Sequence, residues 1–241
     1  MTELREQGAP HMADPVAIAR AHAVYTPTAL RFYDIVVHGL SNRLAWRCPT
    51  SRVVSLYEDN LSANHLEAGV GTGLFLDRAG TGFDRLVLAD INEHCLDRAA
   101  RRLARFRPQL VQVNLLEPLD SDLAPSDLVA FDLVAFDLAP FDSVGLTYVL
   151  HCLPGRMEEK LVVVDHLKPL MSAGAVLFGA TILGRGLTPN PAARALLDLY
   201  NAKGVFNNRG DDLKGLRAGL KQRFASVEIE QRGLVALFRA R

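Results

Sequence analysis

The sequence predicts an α/β protein with a doubly wound, largely parallel sheet covered by helices, and three observations carry that expectation. From residue 64 onward, short apolar runs alternate with amphipathic segments, the βαβ rhythm that buries a parallel sheet on both faces. The first of these runs ends in a glycine-rich turn, Glu67-Ala-Gly69-Val-Gly71-Thr-Gly73, which opens directly into a helical pattern. The last two runs are separated by only a couple of residues around Arg232 and Gly233, so they form an antiparallel hairpin.

Taken in order, residues 1–15 are polar, lack a hydrophobic period and contain Gly8, Pro10 and Pro15, which predicts disorder. Residues 16–62 read as a helical cap with segments at 16–24, 30–37 and 53–61, broken by Pro27, Gly39 and Pro49. The sheet domain then occupies 63–241, with strands expected at 64–68, 85–89, 109–113, 142–147, 174–182, 226–231 and 234–239. Helices are expected at 73–79, 93–106, 156–171, 190–202 and 211–223. Asp127-Leu-Val-Ala-Phe131 repeats as Asp132-Leu-Val-Ala-Phe136, and this five-residue period matches neither a strand nor a helix, so the stretch reads as a loop.

Composition removes several functions. The 241 residues are 49% hydrophobic and 22% charged, which is globular and sufficient for one domain with a sizeable core. Lys plus Arg and Asp plus Glu both number 27, so no basic excess exists to neutralise a polyphosphate backbone, and nucleic acid is not an expected partner. Three cysteines without CxxC spacing argue against a disulfide framework and a zinc site, so no metal is expected and a reduced, cytoplasmic setting fits. No apolar stretch approaches the ~20 residues that span a bilayer, and the N-terminus has no apolar signal core, so no membrane partner is expected.

Glycines at a strand-to-helix turn let the backbone lie against a ligand where a side chain would collide, which points to a bound nucleotide. The dinucleotide fingerprint needs G-x-G-x-x-G, but Leu74 stands where its third glycine belongs, and an acidic residue opens the motif. The second strand, Arg85-Leu-Val-Leu-Ala-Asp90, ends in a carboxylate about 20 residues after the glycines, the position from which an acid accepts hydrogen bonds from ribose hydroxyls. Its alternative role is to cap the helix that follows. The third strand runs into Asn114-Leu115. The fourth exits through Thr147-Tyr148-Val-Leu-His151, beyond the carboxyl end of a strand, where open α/β sheets bind ligands.

The spacing E-x-G-x-G-x-G resembles motif I of the class I S-adenosylmethionine-dependent methyltransferases, and the resemblance covers about residues 66–241. It implies a seven-stranded sheet of order 3-2-1-4-5-7-6 and S-adenosylmethionine as cofactor. It also implies cofactor roles for Glu67, Gly69, Gly71, Gly73 and Asp90, with Ile91, Asn114 and Leu115 toward the adenine and Thr147 toward the methionine end. Asn114 departs from the family's usual aspartate. The run from Asp142 to His151 is similar to that of plant small-molecule O-methyltransferases, whose corresponding histidine is the general base. An imidazole titrating near pH ~6.5 is suited to that task. His151 is therefore the candidate catalytic residue, the alternative being a pocket histidine that moves no proton.

Tyr25, Tyr33 and Trp46 of the cap, together with Tyr148, His151, Asn201 and Phe206, are the candidate acceptor-binding residues. The expected activity is methyl transfer to a small molecule, first to oxygen and with N, S or C as alternatives, in a monomer or homodimer, with secondary metabolism as a setting. Two competing readings are a nicotinamide-dependent oxidoreductase and a cofactor-binding protein of the same fold that does not methylate.

Overall fold

The computed structural model describes residues 41–80, 82–118 and 140–241. The expected cap helices at 16–24 and 30–37, the leading 15 residues, and the five-residue repeat up to residue 139 lie outside them. The first described helix is α1 (Thr50–Glu58), followed by β1 (Asn64–Ala68), α2 (Leu74–Ala79), β2 (Arg85–Asp90), α3 (Glu93–Arg102) and β3 (Gln109–Gln112). After the undescribed stretch come β4 (Phe141–Thr147), α4 (Met157–Lys160), α5 (Val162–Leu167), β5 (Met171–Ile182), α6 (Pro191–Ala202), α7 (Leu213–Arg223), β6 (Val227–Arg232) and β7 (Val235–Ala240).

The seven strands form one sheet in the order β3-β2-β1-β4-β5-β7-β6. The pairs from β3 through β5 are parallel, whereas β7 runs antiparallel to both β5 and β6. The order reverses between β1 and β4. Both strands leave their carboxyl ends there, and such a switch point opens a crevice between the loops on either side.

Side chains alternate across the sheet and divide the core in two. On β2, Leu86 and Leu88 join Phe75 and Leu76 of α2, Leu96 and Ala99 of α3 and Val53 and Tyr57 of α1, while Val87 and Ala89 turn to the other face. That second face is covered by Val163, Val164 and Leu167 of α5 and by Leu216 and Leu220 of α7. Ala45, Trp46 and Cys48, which precede α1, belong to the same core as Phe178 of β5.

Several boundaries differ from the sequence expectation. The helix expected at 93–106 ends at Arg102 and continues as a 3-10 turn at Ala104–Phe106. The helix expected at 156–171 is two short helices, α4 and α5, that meet at Leu161, followed by a 3-10 turn over Lys168–Leu170, where Pro169 cannot donate a backbone hydrogen bond. β5 starts at Met171 rather than 174, because a register irregularity opposite Phe141 and Ser143 lets its first residues pair with β4 before the regular ladder begins.

Candidate active site

The turn after β1 and the ends of β2, β3 and β4 line a cavity that is open to solvent. Glu67, Gly69, Gly71, Gly73, Asp90, Ile91, Asn114, Leu115, Thr147 and Tyr148 all line it.

The glycine turn is shaped for close approach. Gly71 has φ +55°, and a Cβ placed there would meet nothing within 4 Å, so the backbone presents an open edge. At Gly73, φ is +71° and a Cβ would press within 3.2 Å of Ala99 on α3, so this glycine lets α2 and α3 pack together. Leu74 therefore occurs without harm where a dinucleotide fold needs glycine. Arg102 fastens the turn from α3 by donating to the Thr72 carbonyl at 2.8 Å and to its hydroxyl at 3.0 Å.

Asp90 joins this turn to β2. Its Oδ2 accepts from Gly71 N–H at 3.2 Å and its Oδ1 from Asn92 N–H at 2.9 Å. Burial pushes the Asp90 pKa up to about 6, against the opposing pull of these backbone donors. The capping role considered for Asp90 belongs to Asn92, whose side chain accepts from His94 and Cys95 N–H at the start of α3.

Glu67 is buried at the back of the cavity, and three elements converge on it. Tyr57 of α1 donates its hydroxyl to Glu67 Oε1 at 2.6 Å, and His65 Nε2 lies 3.0 Å from Oε2. On β4, a Cβ at Gly145 would overlap Oε2, so glycine leaves the slot that the carboxylate fills. Burial raises the Tyr57 pKa well above its ordinary value, and the nearby Glu67 adds to this, which keeps the phenol protonated as a donor.

The remaining candidates are distributed differently. Asn114 lines the cavity, but its amide builds the following turn, donating to Glu117 Oε1 at 2.7 Å and accepting from Leu116 N–H at 3.1 Å. Tyr148 has φ +60°, which is uncommon for a bulky residue, and its hydroxyl donates to Asn42 Oδ1 at 3.2 Å. Trp46, His151, Asn201 and Phe206 are not on the wall of this cavity. Trp46, His151 and Phe206 form a layer behind Tyr148: Phe206 packs edge-on against His151 with centroids 4.5 Å apart and meets Trp46 at 6.1 Å. Asn201 and Asn208 bond each other through their amides, at 2.9 Å from Nδ2 to Oδ1, which locks the loop between α6 and α7 rather than leaving it open to a ligand. Tyr25 and Tyr33 lie outside the described residues.

His151 is 3% exposed, and burial, helped by the charge of Lys160, pushes its pKa down to about 3. Its Nδ1 accepts from Ile182 N–H at 3.4 Å. The neutral ring consequently carries its hydrogen on Nε2. Beside it, Lys160 donates to Asp211 Oδ2 and to the Asn207 carbonyl, both at 2.6 Å, in a fully buried ion pair.

Sequence reasoning missed Tyr57, Phe75, Cys95, Val149 and Cys152, all of which line the cavity. Tyr57 carried no local signal beyond a helical apolar position. Val149 and Cys152 stood in plain view between Tyr148 and the following helix.

Residues 66–177 match the family model described as a methyltransferase domain. The chain is 34% identical over 242 residues to the demethylluteothin O-methyltransferase of Streptomyces thioluteus, covering 100% of this chain and 98% of that protein. The chain belongs to the class I S-adenosylmethionine-dependent methyltransferases. The methyltransferase is also 33% identical over 224 residues to a physcion biosynthesis cluster O-methyltransferase of Aspergillus chevalieri, covering 92% of this chain and 94% of the other. Its fold is similar to that of the N-methyltransferase NodS of Bradyrhizobium japonicum WM9 in complex with S-adenosylhomocysteine, with a TM-score of 0.58 at 14% identity, over 95% of this chain and 98% of that one.

The expected sheet order, family and cofactor thus hold for this methyltransferase, and the nicotinamide alternative falls away. The residues present fit S-adenosylmethionine: an open backbone edge at Gly71, a carboxylate at the end of β2, and a second carboxylate at the back of the cavity. No helix among the described residues is long and apolar enough to cross a membrane, and no group of three or more His, Cys, Asp or Glu side chains among them is placed to hold a metal.

Proposed function

We propose that this methyltransferase acts on a hydroxyl of a small, largely uncharged and conjugated molecule, a phenol or enol of secondary metabolism. The observation that carries this reading is the position of Tyr148, held in a left-handed conformation at the exit of β4 between the cofactor cavity and an aromatic layer of His151, Phe206 and Trp46. The O-methyltransferase names of relatives that match nearly the whole chain support it.

In this reading Asp90 accepts from the ribose hydroxyls, the backbone at Gly69 and Gly71 lies against the cofactor, and Glu67 faces its amine. Ile91, Asn114 and Leu115 flank the adenine, and Thr147 borders the methionine end. S-adenosylmethionine supplies a methyl group already activated on a sulfonium, so the protein's contribution is alignment, and proximity alone is worth ~7 kcal/mol or more. Tyr148 forms one wall of the acceptor site.

Of the two roles considered for His151, we assign the packing role. Its lone pair is turned to Ile182 N–H, and a pKa of about 3 makes it a weak base at neutral pH. It holds the Tyr148 ring edge-on at 5.7 Å, and Phe206 and Trp46 support the same layer, while Asn201 holds the loop after α6 through Asn208. A phenol or enol is acidic enough to release its proton to solvent as the methyl group arrives. A reduced cytoplasmic location, supported by the free thiols of Cys48, Cys95 and Cys152, and a monomeric or homodimeric state complete the proposal.

The test is incubation of the purified enzyme with S-adenosylmethionine and a panel of phenols, enols, amines and thiols, read by product mass. A gain of one methyl on oxygen supports the reading. Turnover confined to amines or thiols rejects it, and turnover without a gain of methyl favours the non-methylating alternative.

A further inference from the structure

A chain of buried hydrogen bonds leads away from the cavity through the sheet, and methyl transfer as described above makes no use of it. His65 and Glu67 are two residues apart on β1 and so face the same side. The His65 ring lies between Phe83 and Phe178, near-parallel to both, with centroids 6.1 and 5.8 Å away. Its Nδ1 is 2.8 Å from Ser143 Oγ on β4, and its Nε2 is 3.0 Å from Glu67 Oε2. Ser143 Oγ accepts from Ser62 N–H at 3.0 Å, and the Ser62 hydroxyl donates to the Asn64 carbonyl at 2.8 Å. Ser143 Oγ also lies 2.7 Å from Ser62 Oγ, so its hydroxyl has two neighbours to bond, and the hydrogen on His65 Nε2 follows instead from the other side of the ring, where a carboxylate oxygen of Glu67 accepts. Tyr57 supplies the second donor, to Oε1.

We infer that His65 is a positioning residue for the amino-acid end of the cofactor, acting through Glu67. A carboxylate buried beside apolar rings turns away unless donors hold it, and only an oxygen fixed in place can meet an ammonium group. His65 and Tyr57 each donate to one oxygen from behind, so the Glu67 carboxylate is held in one orientation, with lone pairs left for the cavity. The Ser62–Ser143 pair holds Nδ1 on the far side of the ring, and the two phenylalanines pack against its faces. The inference rests on the reading of Glu67 as the residue that faces the amine.

Calorimetric titration of the full chain with two probes tests it: S-adenosylhomocysteine, which carries the amine, and 5′-methylthioadenosine, which keeps the nucleoside and sulfur but lacks the amino-acid group. His65→Phe keeps a ring between Phe83 and Phe178 and removes both nitrogens. It is expected to weaken S-adenosylhomocysteine about tenfold or more, the scale of a lost bond to a charged group, while 5′-methylthioadenosine changes less than about twofold. His65→Gln, which restores a donor, recovers most of the loss. Equal losses for both probes, or no loss for either, overturn the inference and leave the Glu67 reading standing. That reading is tested separately by Glu67→Gln, and unchanged S-adenosylhomocysteine affinity there overturns both. Should His65→Phe fail to fold, Ser143→Ala removes the hydroxyl that holds Nδ1 and is expected to lower the ratio of the two affinities in the same direction. An unchanged ratio overturns the inference.

Discussion

Asp90 and Gly71 are joined by a hydrogen bond of 3.2 Å from the glycine N–H to the carboxylate, so the end of β2 and the turn after β1 form one rigid edge of the cofactor cavity. The same carboxylate is the proposed acceptor for the ribose hydroxyls. Its pKa, raised from the ordinary 3.8 to about 6 by burial, couples cofactor affinity to pH. Between these two values the folded chain without cofactor holds a proton that the unfolded chain has lost. This group's contribution to stability is therefore greatest below about pH 4 and falls as pH rises through 6. Binding runs the other way, because hydroxyl donors favour the charged form.

Affinity for S-adenosylhomocysteine is accordingly expected to weaken as pH falls below 6, approaching tenfold per pH unit. Asp90→Asn is expected to flatten that dependence while lowering affinity at pH 8. Calorimetry from pH 5 to 8 checks both, and a wild-type profile that is flat through this range contradicts the assignment.

Gly71→Ala is expected to separate binding from folding. A methyl group there enters open space, so the stability cost is only the ~1–2 kcal/mol of a left-handed alanine. The same methyl group occupies the backbone edge offered to the cofactor, and affinity is expected to fall at least tenfold by the loss of close approach. Denaturant titration alongside calorimetry measures the two effects independently.

His151 is expected to remain neutral with its hydrogen on Nε2 throughout the working pH range, since burial and Lys160 hold its pKa at about 3. Nitrogen-15 NMR of the histidine rings between pH 5 and 8 reads the tautomer directly. A ring that titrates near 6.5 would return the general-base role to His151.

Lys160 and Asp211 are a buried pair at 2.6 Å, and removal of one partner leaves the other charge stranded. Lys160→Met is expected to cost ~3–5 kcal/mol, lowering Tm by on the order of 10 °C for a chain of this size. Lys160→Met combined with Asp211→Leu is expected to recover a large part of that loss, since no lone charge remains. Additive losses in thermal denaturation of the single and double variants would show that the two groups do not act as a pair.

The parallel sheet and its closing hairpin were legible from short-range regularities, the alternation of apolar runs with helical periods and the two-residue spacer before the last strand, and the strand order from the family resemblance of a motif carried by seven consecutive residues. Asp90 was legible for a similar reason, since a crossover helix of ordinary length fixes its spacing from the glycines. The break at Leu161 was not, because the apolar pattern of 156–171 continues through it and Pro169 acts only at its end.

By itself, then, the sequence determined the fold, the cofactor family and the glycine edge, all of them written in residues close along the chain. The tertiary structure alone decided which groups surround each candidate. Tyr57 reaches Glu67 from another element, and His65 gains its orientation from Ser143, 78 residues away. His151 loses its basicity because Phe206, Lys160 and Ile182 close over it. Burial and hydrogen-bond partnership set protonation and direction, and both are properties of the packed whole.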